Sequence, residues 1–284
     1  MRRALLFLAL AALPALAADN PLRDQVAGLF RQRQWTEAQA LLEKVTAAEP
    51  NNAEAWCSLG QVFLARNEFE KAVPVLEKAT QLDPARGEYL LQLGHAYGIS
   101  AQKAGLFAKL GFARKCKAAY DQAVGLDPSS INARWSLMEY CKQAPGIIGG
   151  GMDQAYAQAE AIKQLDARRG RAAYSSLYLT ENKYPEAFAL YDEVLREKPD
   201  DGDALYNIGR IAAASGQQLE RGLAALRTLL AQAGGNNART HTGIGNILEK
   251  QGDRPGAKAA YEAAVALDPG FTRALEALRK LGTD

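Results

Sequence analysis

Apolar residues recur along almost the whole chain at intervals of three and four, the spacing of one face of an α-helix. The clearest stretch has the positions Trp56, Leu59, Gly60, Phe63, Ala72, Leu76, Ala79 and Pro84. Most of the same spacings return near the end of the chain at Ile244, Gly245, Leu248, Ala257, Tyr261, Ala264 and Pro269. Each stretch ends in a proline, which a helix interior does not accept. The pattern therefore predicts repeated pairs of helices.

These positions resemble the tetratricopeptide repeat, a 34-residue helix-turn-helix unit, and the resemblance covers nearly all of the chain after residue 17. It implies an all-α fold, an α-solenoid of about seven such units with a C-terminal capping helix. The predicted units are residues 19–52, 53–86, 87–130, 131–167, 168–201, 202–237 and 238–271, with the cap at 272–284. Since stacked units share one continuous core, we expect residues 18–284 to form a single superhelical domain.

Residues 1–17 have the order of a secretory signal peptide. Met1-Arg2-Arg3 supplies positive charge, an apolar run of 14 residues follows, and small residues precede Ala18. That run is shorter than the roughly 20 residues that a membrane-spanning helix needs. We expect cleavage after Ala17 and export of a bacterial protein to the periplasm or the medium. A short membrane anchor is the alternative, and Pro14 suits it poorly.

The charge balance argues against nucleic-acid binding. The chain has 34 Lys and Arg against 32 Asp and Glu, and loss of Arg2 and Arg3 would leave 32 of each. A general nucleic-acid binder needs a net basic surface that releases phosphate counterions. We therefore expect a protein or peptide partner and no nucleic acid.

The sequence has no motif for catalysis or for a metal. Its two histidines, His95 and His241, fall in different predicted units, and no His-Glu-x-x-His, Cys-x-x-Cys or Gly-x-Ser-x-Gly occurs. The glycine-rich segment 144–151 lacks the lysine of a phosphate-binding loop and predicts a structural turn. We expect no enzyme activity, no cofactor, and no catalytic or metal-binding residues.

The family resemblance also implies which residues face the concave side, where a partner peptide would lie. The groove residues chosen on this basis are His95, Trp135, Glu139, Arg169, Tyr206, Asn207, Arg210 and Asn246. Trp135 and Tyr206, flanked by Arg169 and Arg210, have the composition of a binding hot spot, and arginine forks bind carboxylate oxygens. Alternatively, both aromatic rings fill gaps between units. Tyr206 stands where the family's chaperone-tail clamp has a lysine, so that particular activity is not implied.

The same resemblance places further positions on the concave side without singling them out. They are Glu54, Cys57, Gln61, Glu88, Leu91, Asn132, Lys142, Ala172, Ser176, Asp203, Arg239 and Thr242.

The third predicted unit contains an insertion of ten residues with an unusual charge. No acidic residue occurs between Glu88 and Asp121, and the basic residues of the insertion are Lys103, Lys109, Arg114, Lys115 and Lys117. Apolar residues alternate with them, so residues 102–117 predict one extended amphipathic helix with a basic outer side. The alternative function is therefore binding of an anionic cell-envelope ligand or peripheral contact with a membrane surface. Lysines that simply face water are the structural alternative.

The three cysteines, Cys57, Cys116 and Cys141, fall in helical patterns. Cys116 and Cys141 belong to helices that should be neighbours, so a disulfide between them is one arrangement open in an oxidising compartment. Buried free thiols are the other. Taken together, the sequence predicts a non-enzymatic periplasmic or secreted scaffold that binds a peptide or protein in its concave groove, with the partner and oligomeric state left open.

Overall fold

The computed structural model describes residues 21–282. The predicted signal peptide, residues 1–17 with its cleavage site at Ala17, lies outside the described residues. Within residues 21–282 the secondary structure comprises fifteen α-helices, one short 3-10 helix and no strand. The all-α prediction is confirmed.

The helices follow one another with short connections. Their bounds are α1 (Pro21–Arg31), α2 (Trp35–Ala48), α3 (Ala53–Ala65), α4 (Phe69–Leu82), α5 (Gly87–Lys103), α6 (Leu106–Leu126), α7 (Ile131–Gln143), α8 (Met152–Leu165), α9 (Ala167–Thr180), α10 (Tyr184–Glu197), α11 (Gly202–Ser215), α12 (Leu219–Leu230), α13 (Ala238–Lys250), α14 (Arg254–Leu267) and α15 (Thr272–Leu281). Helices α1 to α14 form seven consecutive helix-turn-helix pairs, and α15 packs against α13 and α14 as the cap. The prediction of about seven units and a capping helix is therefore confirmed.

The chain divides into two compact units, Met1–Phe112 and Ala113–Asp284, and the division falls within α6. In the first unit, α3 packs against α2, α4 and α5. In the second, a core of fully buried side chains such as Phe188, Ile208 and Leu226 joins α10, α11 and α12. The single domain expected over residues 18–284, and the boundaries of its repeats, stay predictions.

Glycine at one recurring position lets the two helices of a pair approach closely. A methyl group added at Gly60, Gly209 or Gly245 would overlap a large side chain of the second helix, which is Leu76, Leu226 or Tyr261 respectively. The position therefore requires glycine for space, although glycine costs a helix about 1 kcal/mol relative to alanine.

Side chains that precede the helices satisfy their first backbone N–H groups. The oxygens of Asn52, Ser130, Asp166, Asp201, Asn237 and Asp253 each accept a hydrogen bond from the N–H three residues further on. Such caps are worth about 1 kcal/mol each.

The inserted segment 102–117 is helical but interrupted. Helix α5 ends at Lys103 and α6 begins at Leu106, with Ala104 in an extended conformation between them. The prediction of one extended helix is therefore wrong at Ala104 and Gly105. Glycine favours a break here because it loses more conformational entropy than other residues when it is fixed in a helix. In the segment 144–151, by contrast, Gly149 and Gly151 have φ of 81° and 144° and form the expected turn between α7 and α8.

Within residues 21–282, none of the helices combines the length and the apolar character needed to cross a bilayer.

Candidate functional site

The first helices of the pairs in the unit Ala113–Asp284 lie side by side. Helix α9 contacts both α7 and α11, and α11 also contacts α13. Side-chain hydrogen bonds link them, from Lys142 Nζ to Ser176 Oγ at 2.9 Å and from Arg210 Nη2 to Ser175 Oγ at 2.9 Å. The side chains of these four helices therefore form one continuous surface.

Two arginine–aromatic pairs lie on this set of helices. The guanidinium of Arg169 lies 5.8 Å from the ring centre of Trp135, and that of Arg239 lies 3.7 Å from the ring centre of Tyr206. Both arginines are exposed, and both rings are half-buried. In each pair the ring belongs to one first helix and the arginine to the next.

A groove of about 360 Å³ opens between α11 and α13. Its lining includes Tyr206, Arg210 and Asn246, three of the predicted groove residues, together with Gly243, Glu249 and Lys250. Glu249 accepts a hydrogen bond from the Tyr261 hydroxyl at 2.7 Å. Both Glu249 and Lys250 are exposed. The structure thus brings these predicted residues together around one open cleft.

Asn207 occupies a different place from the other predicted residues, because it is buried beneath the groove. Its amide donates to the Asp203 carbonyl at 2.8 Å and accepts from Arg210 Nε at 3.1 Å. Because Arg210 Nη2 also donates to Ser175 Oγ, the guanidinium is held in one orientation. Asn207 therefore orients the groove arginine from below.

Glu139 and Lys142 form a closed polar network with Ser176. Lys142 Nζ lies 2.6 Å from Glu139 Oε2, and Ser176 Oγ donates to Glu139 Oε1 at 3.1 Å while it accepts from Lys142. The Lys142 side chain is only 13% exposed. Because the two charges neutralise each other, this part of the surface links helices α7 and α9 and offers little net charge to a ligand.

His95 lies in the other unit, Met1–Phe112, on α5, and is half-buried. Burial lowers the pKa of its imidazole below the ordinary value of 6.5, so the ring is neutral at pH 7. This unit has its own groove of about 430 Å³ between α1, α3 and α5, lined in part by Arg23, Glu54 and Glu88. Arg23 Nε donates to Glu54 Oε1 at 2.8 Å.

The basic residues of the insertion have different surroundings. Lys103 Nζ lies 4.2 Å from the ring centre of Phe69, and Lys117 Nζ lies 2.7 Å from Asp121 Oδ2. Lys109, Arg114 and Lys115 are exposed. Lys117 is thus paired with a carboxylate of the protein itself, which reduces the basic field predicted for this segment.

All three cysteines are buried free thiols, so Cys116 and Cys141 are not bonded to each other in this structure. The Cys141 thiol donates to Gln154 Oε1 at 3.8 Å. Burial raises the pKa of Cys116 to about 11 and that of Cys57 to about 12, with Glu88 as a further cause for Cys57. Among the described residues, no cluster of His, Cys, Asp and Glu could hold a metal ion.

Arg239 was not among the groove residues chosen from the sequence as a hot spot. The repeat spacing could have identified it, because Arg239 follows Tyr206 by 33 residues and Arg169 follows Trp135 by 34. The sequence did not indicate Lys250 either, because the repeat pattern does not show that the groove extends to the end of α13.

Comparison with known proteins relates the chain to one family. Three family models, each described as tetratricopeptide repeat, match residues 24–87, 178–247 and 238–271. Cellulose synthase operon protein C of Pseudomonas fluorescens (strain SBW25) is 32% identical over 145 residues, which are 48% of this chain and 11% of that protein. RNA polymerase-associated protein CTR9 of Caenorhabditis elegans is 25% identical over 178 residues, which are 62% of this chain and 15% of that protein. The chain thus spans a small part of either relative.

Solved structures show the same fold. A tetratricopeptide repeat protein from Parabacteroides merdae ATCC 43184 aligns with a TM-score of 0.63 at 15% identity, over 93% of this chain and 98% of that one. A thermophilic TPR protein of Thermus thermophilus aligns with a TM-score of 0.54 at 22% identity, over 70% and 98%. The APC/C hetero-tetramer Cut9-Hcn1 contains a chain that aligns with a TM-score of 0.54 at 15% identity, over 93% and 49%.

Proposed function

Because this chain belongs to the tetratricopeptide repeat proteins, we propose that it is a non-enzymatic scaffold that binds a peptide or protein partner. The binding surface is the set of first helices α7, α9, α11 and α13. The observation that carries the proposal is the recurrence of an exposed arginine over a half-buried aromatic ring, each pair bridging adjacent repeats. Trp, Tyr and Arg are the residue types that dominate binding hot spots.

The partner segment that fits this surface is extended and carries carboxylates. Arg169, Arg239 and Lys250 are exposed cations, and Arg210 is held at the groove wall by Asn207 and Ser175. Arginine binds carboxylate oxygens through paired N–H groups, and its orientation before binding reduces the entropy lost on association. Glu139 does not oppose such a ligand, because Lys142 neutralises it.

The relatives agree with a role in assemblies of proteins. One is named as associated with RNA polymerase, and one structural neighbour is part of a hetero-tetramer. Tetratricopeptide repeat proteins are generally scaffolds without catalytic activity.

Photo-crosslinking tests the proposal directly. A photoreactive amino acid at Asn246, exposed at the groove, should capture one partner whose crosslinked peptide, identified by mass spectrometry, is rich in Asp and Glu. The matched control carries the same photoreactive amino acid at Glu262, which is exposed on α14, the second helix of its pair. Equal capture at both positions, or crosslinks to a peptide without acidic residues, would contradict the proposal.

We further propose export to the periplasm or the medium, which rests on the charged, apolar and small-residue order of residues 1–17. Expression of the full chain in a bacterial host, followed by fractionation and mass measurement, should give a product outside the cytoplasm that begins at Ala18. Recovery of the uncleaved chain from the cytoplasm alone would contradict export and would leave the groove proposal intact.

A further inference from the structure

A second groove in the unit Met1–Phe112 is larger than the groove beside Arg23. It has a volume of about 570 Å³ and lies between the start of α4, the end of α5 and the first turns of α6. Its apolar lining comprises Phe69, Val73, Pro74, Ala104 and Phe112. The two grooves share no lining residue, and the inserted segment contributes Lys103, Ala104 and Phe112 to this one.

The rim of this groove is polar and partly acidic. Glu68 is paired with Arg66 and Lys71 at 2.6 and 2.7 Å, whereas the Glu70 side chain is exposed at the rim. Pro74 also lies within α4 and has no N–H to donate to the Glu70 carbonyl. The lining thus carries two carboxylates, Glu68 and Glu70, and one cation, Lys103. The exposed carboxylate of Glu70 favours a group that carries positive charge or hydrogen-bond donors.

A protruding apolar ridge lies on the same unit. The Phe107 side chain is 90% exposed, the most exposed of the large apolar residues described. Leu110, three residues further along α6, is 39% exposed, and residues at this spacing share one side of a helix. Lys109 next to them is exposed and basic. Single exposed apolar residues are common on protein surfaces. Phe107, however, lies on α6, the helix that also supplies Phe112 to the wall of the apolar groove.

We propose that this unit docks onto a second copy of the chain, with Phe107 of each copy seated in the groove of the other and Lys109 facing Glu70. The charges are complementary, since a basic residue flanks the ridge and an acidic one the groove. A dry cavity of about 150 Å³ already holds a benzene molecule, so a groove of about 570 Å³ has room for a phenyl ring. Because ridge and groove belong to the same unit, a two-fold arrangement makes both contacts at once.

The observations favour a second copy over an anionic membrane. A bilayer contact needs no concave partner for Phe107, and the exposed carboxylate of Glu70 would repel anionic headgroups. Lys103 lies against the Phe69 ring, in the lining of the groove.

Sedimentation velocity of the full chain over a dilution series tests the proposal. The wild type should form a dimer, and Phe107→Asp should raise the dimer dissociation constant at least about tenfold, as expected for loss of a buried aromatic anchor. Since Phe107 is exposed in the single chain, its replacement should leave thermal unfolding unchanged at concentrations below the wild-type dissociation constant, where both proteins are monomeric. The matched control is Ile147→Asp, which changes the other strongly exposed apolar residue, 82% exposed, and should leave the dimer intact.

A charge exchange separates the specific contact from a general effect of charge. Glu70→Lys and Lys109→Glu should each weaken the dimer, and the double variant should restore it, because the pair is then reversed. A wild type that stays monomeric, or a dimer that Phe107→Asp does not change, would overturn the proposal. So would a monomeric wild type that sediments with phosphatidylglycerol vesicles and loses this binding in Phe107→Asp, because the ridge would then be a membrane contact.

Discussion

The guanidinium of Arg239 lies over the ring of Tyr206, 3.7 Å from its centre. The same relationship, at 5.8 Å, joins Arg169 to Trp135 two helix pairs earlier. In both cases the ring and the arginine come from adjacent first helices, so each pair links neighbouring repeats. The attraction between a cation and a ring face is worth about 0.5 to 1 kcal/mol at an exposed site, and it orients the arginine while leaving N–H groups for a ligand.

We predict that Trp135→Ala and Tyr206→Ala each weaken binding of the crosslinked partner peptide by about thirtyfold, the loss of a hot-spot residue. Because the rings are half-buried, they contribute less to folding than to partner binding, so the midpoint of thermal unfolding should change little. Fluorescence anisotropy with a labelled peptide measures the first effect and circular dichroism the second.

Lys258→Ala, at an exposed position of α14, is the control and should change neither quantity. A loss of stability in Trp135→Ala as large as the loss of binding would show instead that the ring fills a gap between repeats.

We predict that Gly209→Ala lowers the free energy of unfolding by about 1 to 3 kcal/mol, because the added methyl group would overlap the fully buried Leu226 side chain. Gly111→Ala is the control, since it lies within α6 with open space around it and should stabilise the chain by up to about 1 kcal/mol through helix propensity. Urea denaturation of both variants gives the comparison. A neutral Gly209→Ala variant would mean that the helix pair can separate without cost.

The pairs of helices could be predicted because burial imposes a period on the sequence. The positions of Trp56, Leu59 and Phe63 specify a face of α3. The cap predicted at 272–284 contains helix α15, Thr272–Leu281. The break at Ala104 and Gly105 could not be predicted in this way, because both flanking segments keep helical periodicity and the backbone changes direction between them.

The site was predicted in part, for a related reason. The repeat pattern placed Tyr206, Arg210 and Asn246 on one surface, and they do line one groove. It did not indicate that Asn207 would be buried, or that Lys142 would neutralise Glu139. Periodicity specifies the face of a helix, whereas hydrogen-bond partners depend on the side chains that a neighbouring helix brings into reach.

We predict that the chain loses stability as the pH falls below 6.5 and that His95→Gln reduces this loss. Burial lowers the pKa of His95 in the folded state, so below its ordinary pKa of 6.5 the unfolded chain binds more protons and unfolding becomes easier. Well above that pH the ring is neutral in both states, and its contribution to the pH dependence vanishes. Urea denaturation at a series of pH values measures it.

His241→Gln is the matched control, since burial also lowers the pKa of His241 but that ring is bonded to Asn236 in an exposed setting. His241→Gln should change the slope of unfolding free energy against pH less than His95→Gln does. Equal slopes for the wild type and His95→Gln would show that His95 does not contribute.

We predict that the folded chain resists alkylation at all three cysteines. With a pKa of about 12, Cys57 is a thiolate in only on the order of one molecule in ten thousand at pH 8, and burial blocks access to the sulfur in each case. Iodoacetamide followed by mass spectrometry should find no adduct before unfolding.

After unfolding without reductant, protein from a reducing cytoplasm should gain three adducts. Exported protein should also gain three adducts, because Cys116 and Cys141 are free thiols in this structure. A single adduct would show instead that these two cysteines pair under oxidising conditions, because the disulfide would then remove two thiols.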